Sequence, residues 1–484
     1  MIKKSFTLVS LSLGIVFINS MWSAMAQVVV PTQVTNNTTY TPPTRQPLPP
    51  SIESSLRRLQ SIPIPVPLPS RNLPNTAQVV IPVTVPTNPH VPPPAPPSTP
   101  PARPVTPPPR TTPPASTTVP LRRMNLGDNC TPRHACLGWD EQLWDRNGQR
   151  GDRQALLTAI DHSLSYLQRP SAIAAYQNFP VRGITHDRVR RSLIRFRQLV
   201  VNSRSPEELQ AAVRREFVFY RSVGNDGNGT VKFTAYYEPI YQASRVRTAE
   251  YRYPIFRRPP DFDQWPKPHP TRIELEGADA LLGERSRLSG LEMFWFRDRF
   301  LAYMVQIQGS AQLELTDGTR TSVGFAGGTD FPWTSIGGQL HKDGKLAANQ
   351  LNMPGIINFF QRHPYQMNNF LPRWERFVFF QENPGRPATG SINVPVTAER
   401  SIATDKSLMP PGALALVHTS LPFVGSNDQL EYRTVSRFVL DQDTGSAIRG
   451  AGRVDYFMGS GPVAGRRAGV TGGNGSLYYL LLRQ

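Results

Sequence analysis

Phe438 to Gly461 reads FVLDQDTGSAIRGAGRVDYFMGSG. Two strand-like apolar runs, FVL and RVDYFM, flank a centre rich in glycine, which adopts turn conformations closed to other residues. Asp443 and Asp455 stand where the strands meet those turns, a position from which a strand end lifts a carboxylate into a cleft. A third carboxylate, Asp405, sits in SIATDKSLMPPG (401–412). Aspartate is also a common turn former, so plain turn-building is the competing reading of all three.

Outward from this stretch the period of two continues. ALALVHT from Ala413, YRTVSRFVL before Asp441 and SLYYLLL near the end alternate with Gly-rich turns. Upstream, Val231–Tyr241 (VKFTAYYEPIY), Phe300–Ile307 (FLAYMVQI), Gln312–Leu315 and Phe377–Phe380 also read as strands. Many short strands with glycine turns predict β-barrels rather than a parallel sheet. Before residue 228 the pattern is helical. Asp152 precedes Leu156, Leu157, Ile160, Leu164 and Leu167; Thr185 precedes Val189, Leu193, Phe196 and Val200; Ser205-Pro206-Glu207-Glu208 is a capping box. The fold class is therefore mainly β with a helical N-terminal part.

The first 123 residues are of another kind. Lys3 and Lys4, an apolar run from Phe6 to Ile18 and Ala24-Met25-Ala26 predict a cleaved export signal over 1–26. The apolar run is too short to span a bilayer, and no Cys near the cleavage site offers a lipid attachment point. Of the chain's 50 Pro, 27 fall between residues 41 and 120, so 27–123 reads as a disordered, extended linker. The formal charge is +18; the linker carries +7 of it and the body from residue 124 carries +9. A basic body suits any polyanion, and export removes cytosolic nucleic acid from that set. Two Cys exclude a disulfide-built scaffold, and in an oxidising compartment Cys130 and Cys136 are expected to form one local disulfide.

Several chemistries are excluded by pattern. The eight His show no helical ligand spacing, and there is no P-loop and no G-x-S-x-G elbow. Asp443-Thr444-Gly445-Ser446 matches the aspartic-protease tetrapeptide, but that chemistry needs two such carboxylates and the chain holds a single D-T-G.

DTGSAIRGAGRVDYFMGSGPVAGRRAG resembles the signature of the three-aspartate (3D) domain that ends the MltA family of membrane-bound lytic murein transglycosylases. The likeness extends through SIATDKSLMPPG, VQIQGSAQLELTDG, FAGGTDFPWTSIG, FTAYYEPIYQAS and YRYPIFRRPP, in order over about 228–484. The resemblance implies a double-psi β-barrel that carries the aspartates, a second inserted β-barrel-like domain and a groove between them for a glycan strand. It implies domains at 124–237 (a helical segment completing the catalytic domain), 238–372 (the insert) and 373–484 (the 3D barrel). It implies cleavage of the β-1,4 bond between N-acetylmuramic acid and N-acetylglucosamine without water, leaving a 1,6-anhydro sugar. The catalytic residue maps to Asp455, with Asp443 and Asp405 in support, and Thr234, Tyr236, Tyr237, Gln308 and Gly309 fall in groove-lining motifs.

No cofactor and no metal is implied. The expected partners are peptidoglycan strands, and envelope proteins through the linker, with no nucleic acid; the protein is expected to be a monomer in the periplasm or cell envelope. Two other readings compete. One is a hydrolytic glycosidase on the same fold, with Glu238 or Asp443 as second carboxylate; the other is a non-catalytic wall-binding protein.

Overall fold

The computed structural model describes residues 119–126, 136–145 and 150–484, all within one compact unit. The expected signal peptide, almost all of the Pro-rich segment and Cys130 lie outside the described residues.

Helices come first: Arg153–Tyr166, Pro170–Gln177, His186–Asn202 and Pro206–Glu216. Two start where the sequence sets caps. Thr185 Oγ1 accepts from Arg188 N at 3.3 Å, and Ser205 Oγ accepts from Glu208 N at 3.3 Å. Asp152 precedes the first helix without capping it, because its carboxylate is engaged by Arg400, and a guanidinium outbids a backbone N–H.

Strands β1 (Leu121–Arg123), β2 (Phe217–Ser222) and β3 (Val231–Glu238) precede an insert. The insert carries β4 (Ile240–Ala243), β5 (Tyr253–Phe256), β6 (Glu292–Phe296), β7 (Ser310–Leu315), β8 (Arg320–Gly328) and β9 (Val378–Glu382). After it come β10 (Ser401–Ala403), β11 (Leu414–Val424), β12 (Leu430–Asp443), β13 (Arg453–Ser460) and β14 (Gly472–Leu482). The order β14-β11-β12-β10-β13-β3 closes on itself, since the start of β14 pairs back with β3. Closure removes the exposed strand edges that an open sheet of this size would present. The rest of β14 pairs with β11 and β2, which joins the helical segment to the barrel. One apolar core serves both, with the Phe196 ring 4.8 Å from Phe438 and all of Phe196, Phe217, Tyr456 and Tyr479 fully buried.

In the insert, β4-β7-β8-β9 form one sheet and β5-β6 a hairpin. Bridges Ser244↔Trp295 and Arg257↔Phe380 join the two into a ring, the barrel-like form expected. Its separate core holds Phe294, Phe296, Leu313 and Trp374.

Two expectations are corrected here. FLAYMVQI is not a strand: it lies in the α-helix Arg299–Gln308, capped by Asp298 Oδ1 accepting from Phe300 N at 2.7 Å. The insert also runs past residue 372, because β9 pairs with β8 of the insert sheet. Among the described residues no helix is long and apolar enough to cross a membrane.

Candidate active site

β10 lies between β12 and β13, and Ala403 stands opposite Asp443 on one side and Asp455 on the other. Asp455 is in register with Thr234 of β3. A row Asp443–Ala403–Asp455–Thr234 therefore crosses four strands, with the smallest side chain between the two carboxylates.

A bulge sets which aspartate joins the row. Ile402 pairs with Asp441 but Ala403 pairs with Asp443, leaving Gln442 as the extra residue. Without that bulge, alternation would put Asp441 and Asp443 on one face. With it, Asp441 is fully buried beside Ile402 while Asp443 and Asp455 stay half-buried on the opposite face. Gln442 is held by Ser401 Oγ donating at 2.6 Å, and it donates to Ala159 O at 2.7 Å.

The two carboxylates are unequally supported. Asp443 accepts from Tyr236 OH at 2.8 Å, Thr444 N at 2.8 Å and Ser391 N at 2.9 Å. Asp455 accepts from Thr234 Oγ1 at 2.5 Å. Burial raises both pKa values. At Asp455, Asp443 adds a further upward push, opposed by the Thr234 hydroxyl and by Arg453. Hydrogen bonds to the charged form favour it, and Asp443 has three such donors where Asp455 has one.

Asp405 plays a different part. It is buried, and against that burial the Ser407 hydroxyl and the Gly450 and Ser407 N–H groups hold its pKa below the ordinary value. Gly450 N donates to Asp405 Oδ2 at 2.8 Å, which ties down the loop between β12 and β13. No described hydrogen bond joins Asp405 to Asp443 or Asp455.

The adjacent tyrosines divide as strand alternation requires. Tyr236 reaches Asp443, its ring 5.1 Å from Phe457. Tyr237 packs against the helix Gly461–Val470, where a β-carbon on Gly465 would fall 2.8 Å from the ring. The Tyr237 N–H donates to Gln308 Oε1 at 3.1 Å, linking β3 to the end of the insert helix. Gly309 follows at φ +80°, a left-handed turn that glycine adopts without strain. Glu238 is buried at the barrel–insert junction, accepting from Gln312 Nε2 at 2.8 Å and Ser460 Oγ at 2.6 Å. It is a structural tie across the junction.

Lys406 and Asp441 were not singled out by sequence reasoning. Lys406 Nζ donates to Asp441 Oδ1 and to the Asp443 carbonyl, while Tyr479 OH and Thr404 Oγ1 complete the shell of Asp441. The doubled D-Q-D was the available signal. Cys136 is buried and disulfide-bonded, and its expected partner Cys130 lies outside the described residues. A hollow of about 630 Å³ lined by Pro268, His269, Arg285 and Arg287 belongs to the insert and includes none of these site residues. Among the described residues no group of three His, Cys, Asp or Glu is placed to hold a metal ion.

Fold and site together define a class: a closed β-barrel with an aspartate row on its outer face and a second β domain inserted before it. In both of these parts the chain is similar to the MltA family. The MltA specific insert domain matches residues 232–381 and the 3D domain residues 400–481. Membrane-bound lytic murein transglycosylase A of Escherichia coli K12 is 29% identical over 249 residues, 51% of this chain and 64% of that protein. Its homolog in Buchnera aphidicola is 30% identical, covering 52% of this chain and 66% of that one. The chain thus spans just under two thirds of the length of these relatives. The solved membrane-bound lytic murein transglycosylase from Agrobacterium tumefaciens superposes with a TM-score of 0.55 at 28% identity, over 69% of this chain and 93% of that one. E. coli MltA with bound chitohexaose gives a TM-score of 0.57 at 22% identity, over 76% and 96%, a likeness of fold.

Proposed function

We propose that this protein is a lytic transglycosylase of the cell envelope that cuts peptidoglycan between N-acetylmuramic acid and N-acetylglucosamine without water. The observation that carries the reading is the inequality within the row: one half-buried acid with a single hydroxyl donor beside a second carboxylate that has three.

Asp455, protonated, gives its proton to the bridging oxygen as the bond from the muramoyl C1 to that oxygen breaks, with positive charge growing at C1 and the ring oxygen. The carboxylate so formed takes the proton of the same sugar's C6 hydroxyl. The C6 oxygen then closes on C1, giving the 1,6-anhydro ring and returning Asp455 to its acid form. No water is consumed, and the nucleophile belongs to the substrate, so proximity replaces a second catalytic carboxylate. Asp443, negatively charged, stabilises the cationic centre and holds the Asp455 pKa up. Asp405 and Lys406 fix the loops on which Asp443 stands. The relatives carry membrane-bound in their names, and for this chain envelope placement rests on the expected export signal. Product mass tests the reading: anhydro-terminated muropeptides support it, whereas products one water heavier would mean a hydrolase.

The Thr234 hydroxyl donates to Asp455 and so favours its charged form. Thr234→Val should therefore raise the Asp455 pKa. Activity falls as pH rises through that pKa, so the alkaline limb of kcat should move to higher pH. A limb that stays in place or moves to lower pH would contradict the role of Thr234.

A further inference from the structure

On β13, two residues before Asp455, stands Arg453, in register with Lys232, which lies two residues before Thr234 on β3. Strand alternation puts both cations on the face that bears the Asp455–Thr234 pair, one step of about 6.7 Å along the strands. Lys232 is exposed and Arg453 half-buried. Among the described residues neither side chain makes a hydrogen bond or ion pair. Three buried arginines of the barrel are, by contrast, matched: Arg400 with Asp140, and Arg437 and Arg467 with Glu399. Arg453 acts on the Asp455 pKa through space, while the described hydrogen bond to Asp455 comes from Thr234. Two free cations beside a proton donor are thus left facing outward.

We infer that Lys232 and Arg453 form a carboxylate-binding subsite that takes the acidic substituent of the muramoyl residue at the cleavage point. The inference rests on the glycan-cleaving reading and adds what part of the substrate is recognised. Muramic acid carries a lactyl ether on C3, whose carboxyl is free or joined to a peptide that bears carboxylates of its own; a chitin-type sugar has neither. The C3 substituent stands two ring carbons from the scissile C1, and its lactyl arm extends the separation to the order of one strand step. Arg453 supplies a planar fork for two parallel hydrogen bonds to a carboxylate, and Lys232 a mobile point charge. The pair would seat substituted sugars with the glycosidic oxygen at Asp455 and leave neutral sugars unfavoured.

Binding without turnover separates the possibilities. Asp455→Asn protein, alone and combined with Arg453→Gln or Lys232→Gln, is titrated with chitohexaose, with peptide-free murein oligosaccharides bearing lactyl carboxylates, and with peptide-bearing ones. Chitohexaose affinity should be unchanged by the added substitutions, which also reports intact folding. Arg453→Gln should weaken the acidic oligosaccharides about ten- to a hundredfold, with a shallower salt dependence. Loss confined to peptide-bearing strands assigns the contact to the stem, and loss with peptide-free strands assigns it to the lactyl group; either supports the subsite. Equal weakening of chitohexaose, or no weakening of acidic strands, overturns it. If the Asp455→Asn protein binds no glycan of any kind, the glycan-cleaving reading itself falls.

Discussion

Asp455→Asn is expected to lower release of anhydro-muropeptides from purified cell wall by about 10²- to 10⁴-fold, the range supplied by a positioned general acid–base group. The amide keeps the size of the carboxyl and still offers an oxygen to Thr234 Oγ1, so packing around β13 is preserved. It has no proton to give to a leaving oxygen and no lone pair basic enough to draw the C6 hydroxyl proton, so both halves of the reaction fail together. Thermal unfolding should stay close to wild type, because the amide replaces an uncharged carboxyl of the same size. Comparable rates for variant and wild type would transfer the acid role elsewhere. Glu238 would be a poor recipient, because Gln312 and Ser460 hold it inside the junction.

The largest stability effect is expected at Arg400. Its side chain is fully buried, donating from Nη1 to Asp140 Oδ2 at 2.6 Å and to Phe438 O at 2.8 Å, with Nε 3.1 Å from Asp152. Asp140 is buried too and also accepts from Phe438 N at 2.9 Å. Arg400→Met fills much of the volume but strands the Asp140 carboxylate in the interior. Breaking one side of a buried pair costs about 3–5 kcal/mol, far more than the pair contributes as a whole. Arg400 directly precedes β10, whose Ala403 spaces Asp443 from Asp455, so activity should fall along with stability. Denaturant unfolding measures the loss; a change under about 1 kcal/mol would mean that water reaches Asp140.

Much of this site was legible in the sequence, and the misses have physical causes. The glycine-framed aspartates pointed to strand ends, and Thr185 and Ser205 marked helix starts, because these are local rules of turn and cap chemistry. FLAYMVQI misled because its helix is buried on nearly every side, so no polar stripe reveals the period; Asp298 before it and Gly309 after it were the better signals. The burial of Asp441 was hidden for another reason. Its facing depends on a one-residue bulge against β10, a pairing made between strands far apart in the chain. The closure of β14 on β3 is likewise a long-range pairing that no local pattern specifies.

A carboxyl titration of Asp455 by carbon-13 NMR, in wild type and in Asp443→Asn, reads the proposed proton donor itself. The midpoint should lie above about 3.9, the ordinary aspartate value, and fall when the neighbouring charge is removed. A midpoint at or below that value, or one indifferent to Asp443, would contradict that role.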